Sequence, residues 1–536
     1  MPTPTGATLL VDTLLAAGVE HLFTLSGNQI LSVYDAAIGK RLALYHTRHE
    51  AAAVHMADAF ARLTGRPAVA LVTAGPGHLN ALSALYGALM EESPVVLLSG
   101  ASPRAQRGLG AFQEIDQVAA ARPVTKAAWV AEEASKLGHD VARALEVAQA
   151  GRPGPVHVSL PGDLLETSVS AEAPSPPTVR ARAAASEPMV GEILAMLAEA
   201  KRPVIVAGPG TARGDRWLAV QRLADAVAAP ALPSESPRGL NDPWLRGANA
   251  RLAEADLVLL LGKALDFSLR FGRPPGFAVE CRVVQVTAEA TAPNPRATLS
   301  VLADPATVAE QLTSAARGRA WPETGWADDV RRVRAATPPA WQTLRESSRT
   351  PMHPLAVCAA LQPIVDAGAT LVVDGGEFGQ WVQAGVEAPV RLINGPSGSI
   401  GSAIPMAIAA RLVHRDRPVV AALGDGTFGF HAFELDTALR YGLPIVAVVG
   451  NDARWNAEHQ LQLQHYGAER AVACTLLPTR YDRVAVALGG HGEHVESAEQ
   501  LPSALARAIG SGKPAVVNVV IDGVAAPTFA SGGAIH

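Results

Sequence analysis

The stretch that decides the fold runs from Gly424 to Asp452 and reads GDGTFGFHAFELDTALRYGLPIVAVVGND. It begins directly after the apolar run Val419–Leu423 and contains a second apolar run, Ile445–Val449, near its end. Between the two runs lies a segment with helix-spaced apolar residues, closed by glycine and proline as stop signals. The pattern predicts two parallel strands joined by one helix in a right-handed crossover.

Two acids stand at the ends of these strands. Asp425 and Asp452 lie 27 positions apart, and Gly424 and Gly426 let the chain turn tightly beside the first of them. Carboxylates at neighbouring strand ends, next to free N–H groups at a helix start, suit a hard divalent cation that bridges to a diphosphate. A GDG tripeptide alone is a common turn, so the pairing with a second strand-end acid carries this interpretation.

The same alternation of apolar strands and helical segments extends over the 536 residues, enough for about three domains of roughly 150 residues. Two stretches rich in Pro, Ser, Ala and charge, Thr167–Pro188 and Arg317–Trp341, read as linkers. The sequence therefore predicts an α/β fold of three doubly wound parallel-sheet domains, at residues 1–166, 188–316 and 350–536.

Composition excludes several classes of protein. Lys and Arg number 45 against 50 Asp and Glu, a formal charge of −5 without a polybasic run, so we expect no nucleic-acid partner. No apolar run reaches the ~18 residues that span a bilayer, and the beginning carries no basic targeting segment, which predicts a cytoplasmic protein without a membrane partner. Cys281, Cys358 and Cys474 lack metal-ligand spacing and are expected to be buried thiols.

The stretch Gly424–Asp452 resembles the thiamine diphosphate motif of the acetolactate synthase-like enzymes. The resemblance implies Mg²⁺ held by the side chains of Asp425 and Asp452 and by the carbonyl of Arg454. Asp452 departs from the Asn that is usual there, and its extra charge must be offset by metal, amides or a base such as Arg454. The cofactor-binding residues implied in this segment are Gly424, Asp425, Gly426, Thr427 and Asp452.

Glu50 is the candidate for the acid that activates this cofactor. Taken alone, it reads as a helix-start acid that interacts with the helix dipole. Its surroundings, Thr47–Ala53 and Val69–Leu82, resemble the pyrimidine-binding domain of the same family. The resemblance implies that Glu50 binds N1' of the cofactor pyrimidine. In the family this glutamate meets the metal motif across a subunit interface, which implies a homodimer or homotetramer.

Further residues are assigned by the same resemblance. The stretch Gly395–Val413 is similar to the one that bends the cofactor, where the carbonyl of Gly398 accepts from its 4'-amino group and Ile400 is the apolar wedge. A plain helix start is the alternative for this segment.

The stretch Gly110–Lys126, GAFQEIDQVAAARPVTK, resembles acetolactate synthases and 2-hydroxyacyl-CoA lyases, in which a Phe-Gln pair borders the reacting carbon. Gln113 would bind the substrate carbonyl or carboxylate and Phe112 would wall the pocket, with ordinary loop packing as the alternative. Asn28 and Gln29 replace residues frequent in relatives and are expected to shape the pocket. His78 is a candidate proton carrier, although a lone histidine is more often structural.

The resemblance implies carboligation or decarboxylation of a 2-oxo acid as the first interpretation. Alternatives are a 2-hydroxyacyl-CoA lyase or oxalyl-CoA decarboxylase-like enzyme and a benzaldehyde lyase-like carboligase. The segment Asp522–His536 contains no Lys or Arg, which counts against a CoA thioester. A cofactor-binding regulatory protein is the non-enzyme alternative, and the retained Glu50, Gln113 and Asp425 count against it.

The sequence of the middle block does not decide whether this domain binds a nucleotide cofactor. Val206–Asp215, VAGPGTARGD, is a glycine loop at a strand end, but it is too generic to place FAD. FAD, ADP and an empty middle domain all remain compatible with this sequence.

Overall fold

The computed structural model describes residues 3–170, 181–290, 294–322 and 324–529. Within them the chain forms three sheets, and every paired strand in each sheet runs parallel to its neighbours. Helices flank the sheets, so the predicted α/β class with three parallel-sheet domains is confirmed. The domain boundaries at 1–166, 188–316 and 350–536 stay a prediction.

The first sheet contains six strands. They are β1 (His21–Thr24), β2 (Ala43–His46), β3 (Ala68–Val72), β4 (Val95–Ala101), β5 (Ala127–Val130) and β6 (Val156–Pro161). Its helices are α1 (Gly6–Ala16), α2 (Leu31–Ala37), α3 (Glu50–Thr64), α4 (Pro76–Met90), α5 (Gln117–Ala121), α6 (Leu137–Gln149) and α7 (Gly162–Glu166). The order β2-β1-β3-β4-β6-β5 reverses direction between β1 and β3, and ligands bind outside the strand ends at such a switch point.

The second sheet is ordered β11-β10-β9-β7-β8, with its switch point between β7 and β9. The strands are β7 (Pro203–Ala207), β8 (Ala231–Pro233), β9 (Leu257–Leu261), β10 (Arg282–Thr287) and β11 (Leu299–Leu302). The helices are α8 (Glu187–Glu199), α9 (Gly214–Ala226) and α10 (Pro305–Ala316).

The third sheet repeats the order of the first, as β13-β12-β14-β15-β17-β16. The strands are β12 (Thr370–Asp374), β13 (Arg391–Ile393), β14 (Val419–Gly424), β15 (Val446–Asn451), β16 (His491–Val495) and β17 (Ala515–Val520). The helices before and around it are α11 (Trp326–Ala335), α12 (Ala340–Arg345), α13 (Pro354–Asp366), α14 (Gly376–Gly385), α15 (Ala403–Val413), α16 (Asp425–His431), α17 (Glu434–Arg440), α18 (Asn456–Tyr466), α19 (Tyr481–Ala487) and α20 (Leu501–Gly510). The crossover read from the sequence is the unit from β14 to β15.

The first and third domains share one apolar core. Helix α3 packs against α15, and buried residues from both domains form one continuous cluster. Polar contacts support this interface: the Arg62 guanidinium donates to the Ile393 carbonyl at 2.9 Å, and the Arg48 amide donates to Glu434 at 3.0 Å. The two outer domains of one chain are therefore a single packed unit.

The structure describes the two predicted linkers to different extents. Residues 171–180 of Thr167–Pro188 lie outside the described residues, and α8 begins within its last two positions. The second, Arg317–Trp341, contains α11 and the start of α12, with Trp326 and Trp341 buried in two different cores. Trp326 and Val330 stand one turn apart and face the middle-domain core, a short amphipathic pattern that the polar composition obscures.

Two further expectations concern burial. All three cysteines are free and buried, as predicted. None of the helices in the described part of the chain has the length and apolar character needed to cross a bilayer.

We predict that Trp326→Ala lowers the thermal stability of the middle domain. Its indole is 7% exposed and its N–H donates to the Pro203 carbonyl at 3.0 Å, and loss of a buried Trp costs about 3–5 kcal/mol. Calorimetric unfolding measures the shift, with Trp326→Phe as the control that keeps most of the packing. An unchanged transition in Trp326→Ala would show that this segment is the unpacked linker its composition suggests.

Candidate functional site

One group of predicted residues gathers at the switch point of the third sheet. Asp425 begins α16 directly after β14, and Gly375 follows the neighbouring strand β12. Gly375 has φ +41°, and a Cβ there would lie 2.6 Å from Thr427 Oγ1 and 2.9 Å from Ile400 Cγ2. Thr427 and Ile400 therefore converge around a position that only glycine fits, and Thr427 lies two residues after Asp425 in α16.

The Asp425 carboxyl is 1% exposed, and its Oδ2 has no hydrogen-bond partner among the described residues. Burial raises the pKa of Asp425 to about 6, although backbone amides, those of Gly426 and Arg454 among them, partly offset this. An unpartnered carboxylate oxygen in the interior costs free energy, so the position calls for a cation.

Asp452 lies just beyond β15, close enough to Asp425 for the two charges to interact. Burial and then the Asp425 charge raise the pKa of Asp452 to about 7, although the charge of Arg454 opposes both. A divalent cation with oxygen ligands would relieve desolvation and repulsion together, so this pair of carboxylates fits Mg²⁺. No cluster of three or more His, Cys, Asp or Glu suited to a metal occurs in the described residues, so further ligands would come from backbone, water or phosphate.

The Arg454 carbonyl lies beside a short backbone pairing that follows β15. The Leu476 amide donates to the Ala453 carbonyl at 2.7 Å, and the Trp455 amide donates to the Cys474 carbonyl at 2.8 Å. The Arg454 carbonyl between them takes no part in this pairing. Its role as a third ligand stays a prediction.

Side chains that the sequence analysis did not single out shape this turn. Asn451 accepts from the Ala453 amide at 3.2 Å and donates to Asn518 at 3.1 Å, and Ala453 has φ +55°. The Trp455 ring covers Gly426, where an added Cβ would lie 2.7 Å from it. The contacts with Asn518 and Gly426 join residues that are far apart in the sequence, so no local sequence pattern predicts them.

The glycine-rich segment before α15 holds the wedge residue. Gly398 has φ +67°, and its amide donates to the Gly395 carbonyl at 3.1 Å. His431, at the end of α16, bonds the Gly401 carbonyl through Nδ1 at 2.6 Å. This bond fixes the backbone directly after Ile400, and His431 is a further residue that the sequence did not suggest.

A second group gathers at the switch point of the first sheet. Glu50 begins α3, is 8% exposed, and accepts from Asn80 Nδ2 at 3.0 Å. A Cβ on Gly77 would lie 2.8 Å from Thr73 Cγ2 and 3.3 Å from Glu50 Oε1, so Thr73 and Glu50 flank the same glycine. Asn80 therefore orients the predicted catalytic carboxylate, a role the sequence did not reveal.

Gln113 joins this second group through Gln29. Thr73 donates to Gln29 Oε1, and Gln29 Nε2 donates to Gln113 Oε1 at 3.0 Å. Gln113 has φ +59°, and its backbone lies against Gly75. The structure therefore places Gln113 and Glu50 at the same strand end, on either side of Thr73.

The other predicted pocket residues lie apart from these contacts. Asn28 is exposed beside Gln29, and Phe112 is 71% exposed. His78 is fully buried; its Nδ1 lies 2.9 Å from Ser99 Oγ, and its ring centroid lies 4.5 Å from that of His157. Because burial lowers the pKa of His78 to about 4, this placement does not favour the proton carrier that was predicted.

The two groups remain separate within one chain. In the described residues, the hydrogen bonds of Glu50 and Gln113 stay within the first domain, and those of Asp425 and Asp452 stay within the third. One group offers a carboxylate and an amide, and the other offers two neighbouring acids that could hold a cation.

Three family models match the chain. They are "Thiamine pyrophosphate enzyme, N-terminal TPP binding domain" at residues 4–120, the central domain of the same enzymes at 190–312, and their C-terminal TPP binding domain at 374–519. The group with Glu50 falls in the first match, and the paired acids fall in the last.

Curated relatives extend over nearly the whole chain. A "Probable acetolactate synthase" of Mycobacterium bovis is 35% identical over 96% of this chain and 95% of its own length. A "2-hydroxyacyl-CoA lyase 2" of Bos taurus is 32% identical over 95% and 88%, and a "2-hydroxyacyl-CoA lyase 1" of Mus musculus is 29% identical over 96% and 94%.

We predict opposite effects from two alanine substitutions in α16. Gly426→Ala places a Cβ against the Trp455 ring and lowers the thermal midpoint, since overpacking costs about 1–3 kcal/mol. The control Gly429→Ala meets nothing within 4 Å and stabilises the helix by roughly 0.5–1 kcal/mol. Equal midpoints for the two variants, measured without any ligand, would contradict the packing described for this loop.

Proposed function

Because the chain belongs to the thiamine pyrophosphate enzymes, we propose that it is a thiamine diphosphate- and Mg²⁺-dependent carbon–carbon lyase or carboligase that acts on 2-oxo acids. The observation that carries the proposal is the pair of acids Asp425 and Asp452 at neighbouring strand ends, in which Asp425 Oδ2 has no hydrogen-bond partner among the described residues. The acetolactate synthase name of the relative at 35% identity supports the 2-oxo acid. Membership in this family also removes the non-enzyme alternative of a regulatory protein.

Asp425, Asp452 and the Arg454 carbonyl would hold Mg²⁺, which binds the cofactor diphosphate. The departure at Asp452 adds a negative charge, and burial together with the nearby Asp425 charge raises the pKa of Asp452. A bound cation would offset both effects. The Thr427 hydroxyl and the amides at the start of α16 are available to the remaining phosphate oxygens.

When bound, thiamine diphosphate supplies a nucleophilic carbon and an electron sink for cleaving or forming the bond beside a carbonyl. Glu50 would hold a proton at N1' of the pyrimidine, with its carboxylate aimed by Asn80. The Gly398 carbonyl and Ile400 would fix the bent shape of the cofactor from the other side.

Gln113 has a defined orientation for the substrate. Since Thr73 donates to Gln29 Oε1, Gln29 presents its NH₂ group to Gln113 Oε1. Gln113 is left with its own NH₂ group as a donor toward a substrate carbonyl or carboxylate. Asn28 and Phe112 would border the entrance to this pocket.

The assembly we propose is a homodimer or homotetramer in which the two half-sites of different subunits meet. Exposed apolar side chains stand beside both halves: Leu109 (78%) and Phe112 in the first domain, Phe430 and Phe433 (60%) in the third. Such side chains mark interaction surfaces when they cluster.

A thioester substrate is the second candidate, since two of the relatives are named 2-hydroxyacyl-CoA lyases. The lack of Lys and Arg in Asp522–His536 argues against it. A benzaldehyde lyase-like carboligation is the third candidate. Turnover of pyruvate, a 2-hydroxyacyl-CoA and benzaldehyde by the enzyme with thiamine diphosphate and Mg²⁺ separates the three. We expect turnover of pyruvate, and turnover of the thioester alone would overturn the 2-oxo acid proposal.

We predict that Mg²⁺ affinity depends on both acids and on pH. Asp425→Asn removes a charged ligand. We expect Mg²⁺ affinity to fall by more than the roughly 10–100-fold that is typical when a residue hydrogen-bonded to a metal ligand is removed. Asp452→Asn keeps an oxygen ligand but removes its charge. We expect Mg²⁺ affinity to fall roughly tenfold, because affinity depends on the total charge of the ligands.

Protons compete with the metal at both acids. The affinity of the unaltered enzyme therefore falls as pH drops through about 7 and then about 6, and in Asp452→Asn the upper step disappears. Calorimetric titration with Mg²⁺ and thiamine diphosphate measures this, with Glu458→Gln in α18 as the charge-matched control. Untouched metal affinity and activity in Asp452→Asn would remove this residue from the ligand set.

We predict that Glu50→Gln slows exchange of the cofactor C2 proton by about 10²–10⁴-fold, the usual contribution of a positioned acid or base. NMR of the bound cofactor in D₂O measures this, and cofactor affinity stays within about tenfold because the metal site is intact. The exposed Glu20→Gln is the control. Equal exchange in Glu50→Gln and the unaltered protein would refute the role of Glu50.

A further inference from the structure

The middle domain has a glycine loop where this fold class binds nucleotides. Residues 208–214 follow β7 at the switch point of the second sheet and lead into α9. Free amides of such a loop ordinarily receive the diphosphate of a dinucleotide. The family resemblance left FAD or ADP open at this position.

A carboxylate of the chain itself occupies this loop. Glu92, two residues beyond α4 in the first domain, is 5% exposed, and its Oε2 accepts from the Gly210 amide at 3.1 Å. A Cβ on Gly210 would lie 2.5 Å from the same oxygen. Because Gly210 has no side chain, the Glu92 carboxylate can lie where an anionic ligand would otherwise bind.

The second oxygen of Glu92 is also engaged. Arg152 Nε donates to Glu92 Oε1 at 2.9 Å, so the carboxylate is both buried and paired. A buried charge with a hydrogen-bonded ion partner and an amide donor is satisfied without any added ligand.

Glu92 has an unusual backbone conformation at this contact. Its φ is +55°, in the left-handed region that costs a non-glycine residue about 1 kcal/mol or more. The loop holds it from the other side, because Arg213 donates to the Glu91 carbonyl at 2.8 Å. Strain of this kind persists only where the surrounding contacts stabilise it.

Two further cations along this edge are paired with acids of the chain. Arg216 bonds Asp304 at 2.6 Å, and Lys263 bonds Asp266 at 2.6 Å. On the β9 side of Glu92 the cavity measures about 240 Å³, below the roughly 300–1,000 Å³ of small-molecule sites. The cavity on the other side is larger, about 1070 Å³, but the Gly210 amide beside it is already taken by Glu92.

We propose that Glu92 is a built-in occupant of the glycine loop. It stands where a nucleotide diphosphate would bind, joins the first domain to the middle domain, and excludes FAD and ADP from this loop. The residues present therefore do not fit the nucleotide cofactor that the family resemblance left open, and thiamine chemistry proceeds without it.

Nucleotide binding to the full-length protein tests this, measured by the flavin absorbance of the purified protein and by calorimetry with FAD and with ADP. The variants are Glu92→Gly, which removes the carboxylate and relieves the positive φ, and Glu92→Gln, which removes only the charge. Glu289→Gln is the control, because Glu289 lines the same 240 Å³ cavity.

We expect no flavin in the unaltered protein, and ADP affinity weaker than about 1 mM in it and in Glu289→Gln. Glu92→Gly is expected to bind ADP or FAD at least tenfold more tightly than the unaltered protein, and Glu92→Gln more tightly to a smaller degree. Stoichiometric FAD or micromolar ADP in the unaltered protein would overturn the proposal. The proposal would also be overturned if both Glu92 variants bound nucleotides no more tightly than the unaltered protein. These measurements need neither thiamine diphosphate nor turnover, so they stand apart from the proposed function.

Discussion

The structure depends on the burial of two like charges at one sheet edge. Asp425 is buried and Asp452 is half-buried at neighbouring strand ends. Burial raises the pKa of both acids, and the Asp425 charge also raises the pKa of Asp452. No charged side chain in the described residues bonds the free Asp425 oxygen. The tight turn at Gly426, its cover by Trp455 and the Asn451 network all keep the acids in this arrangement, which a divalent cation would stabilise.

The first and third sheets have the same strand order, and each offers its polar groups at the equivalent position. In the third sheet, the loops after β12 and β14 provide Gly375 and Asp425; in the first, the loop after β3 provides Thr73, next to Glu50 at the start of α3. The shared topology explains why two unrelated sets of side chains stand at strand ends from which they could form one site in the proposed assembly. The second sheet has its own order, and its switch point is filled by Glu92 of the first domain.

Sequence reasoning succeeded where local pattern determines position. An apolar run followed by glycine fixes a strand end, so the placements of Asp425 and Asp452 could be predicted, and so could the three parallel sheets. Glu50 was singled out by the family resemblance of its surroundings. Sequence reasoning failed where position depends on distant contacts, as for Asn80, His431 and Trp455. His78 illustrates the difference: its neighbours in sequence suggest a ligand loop, whereas helix α4 turns its ring toward Ser99 and His157 in the core.

Packing within one chain connects the two half-sites even though each would complete a different site in an assembly. His49 caps α3 by accepting from the Ala51 amide at 3.1 Å, directly before Glu50, and its ring lies 5.6 Å from the His431 ring. His431 in turn holds the carbonyl that follows Ile400. Because α3 and α15 also pack side by side in one core, displacing the wedge segment would strain the start of α3. The carboxylate of one half and the wedge of the other are therefore set by the same rigid interface.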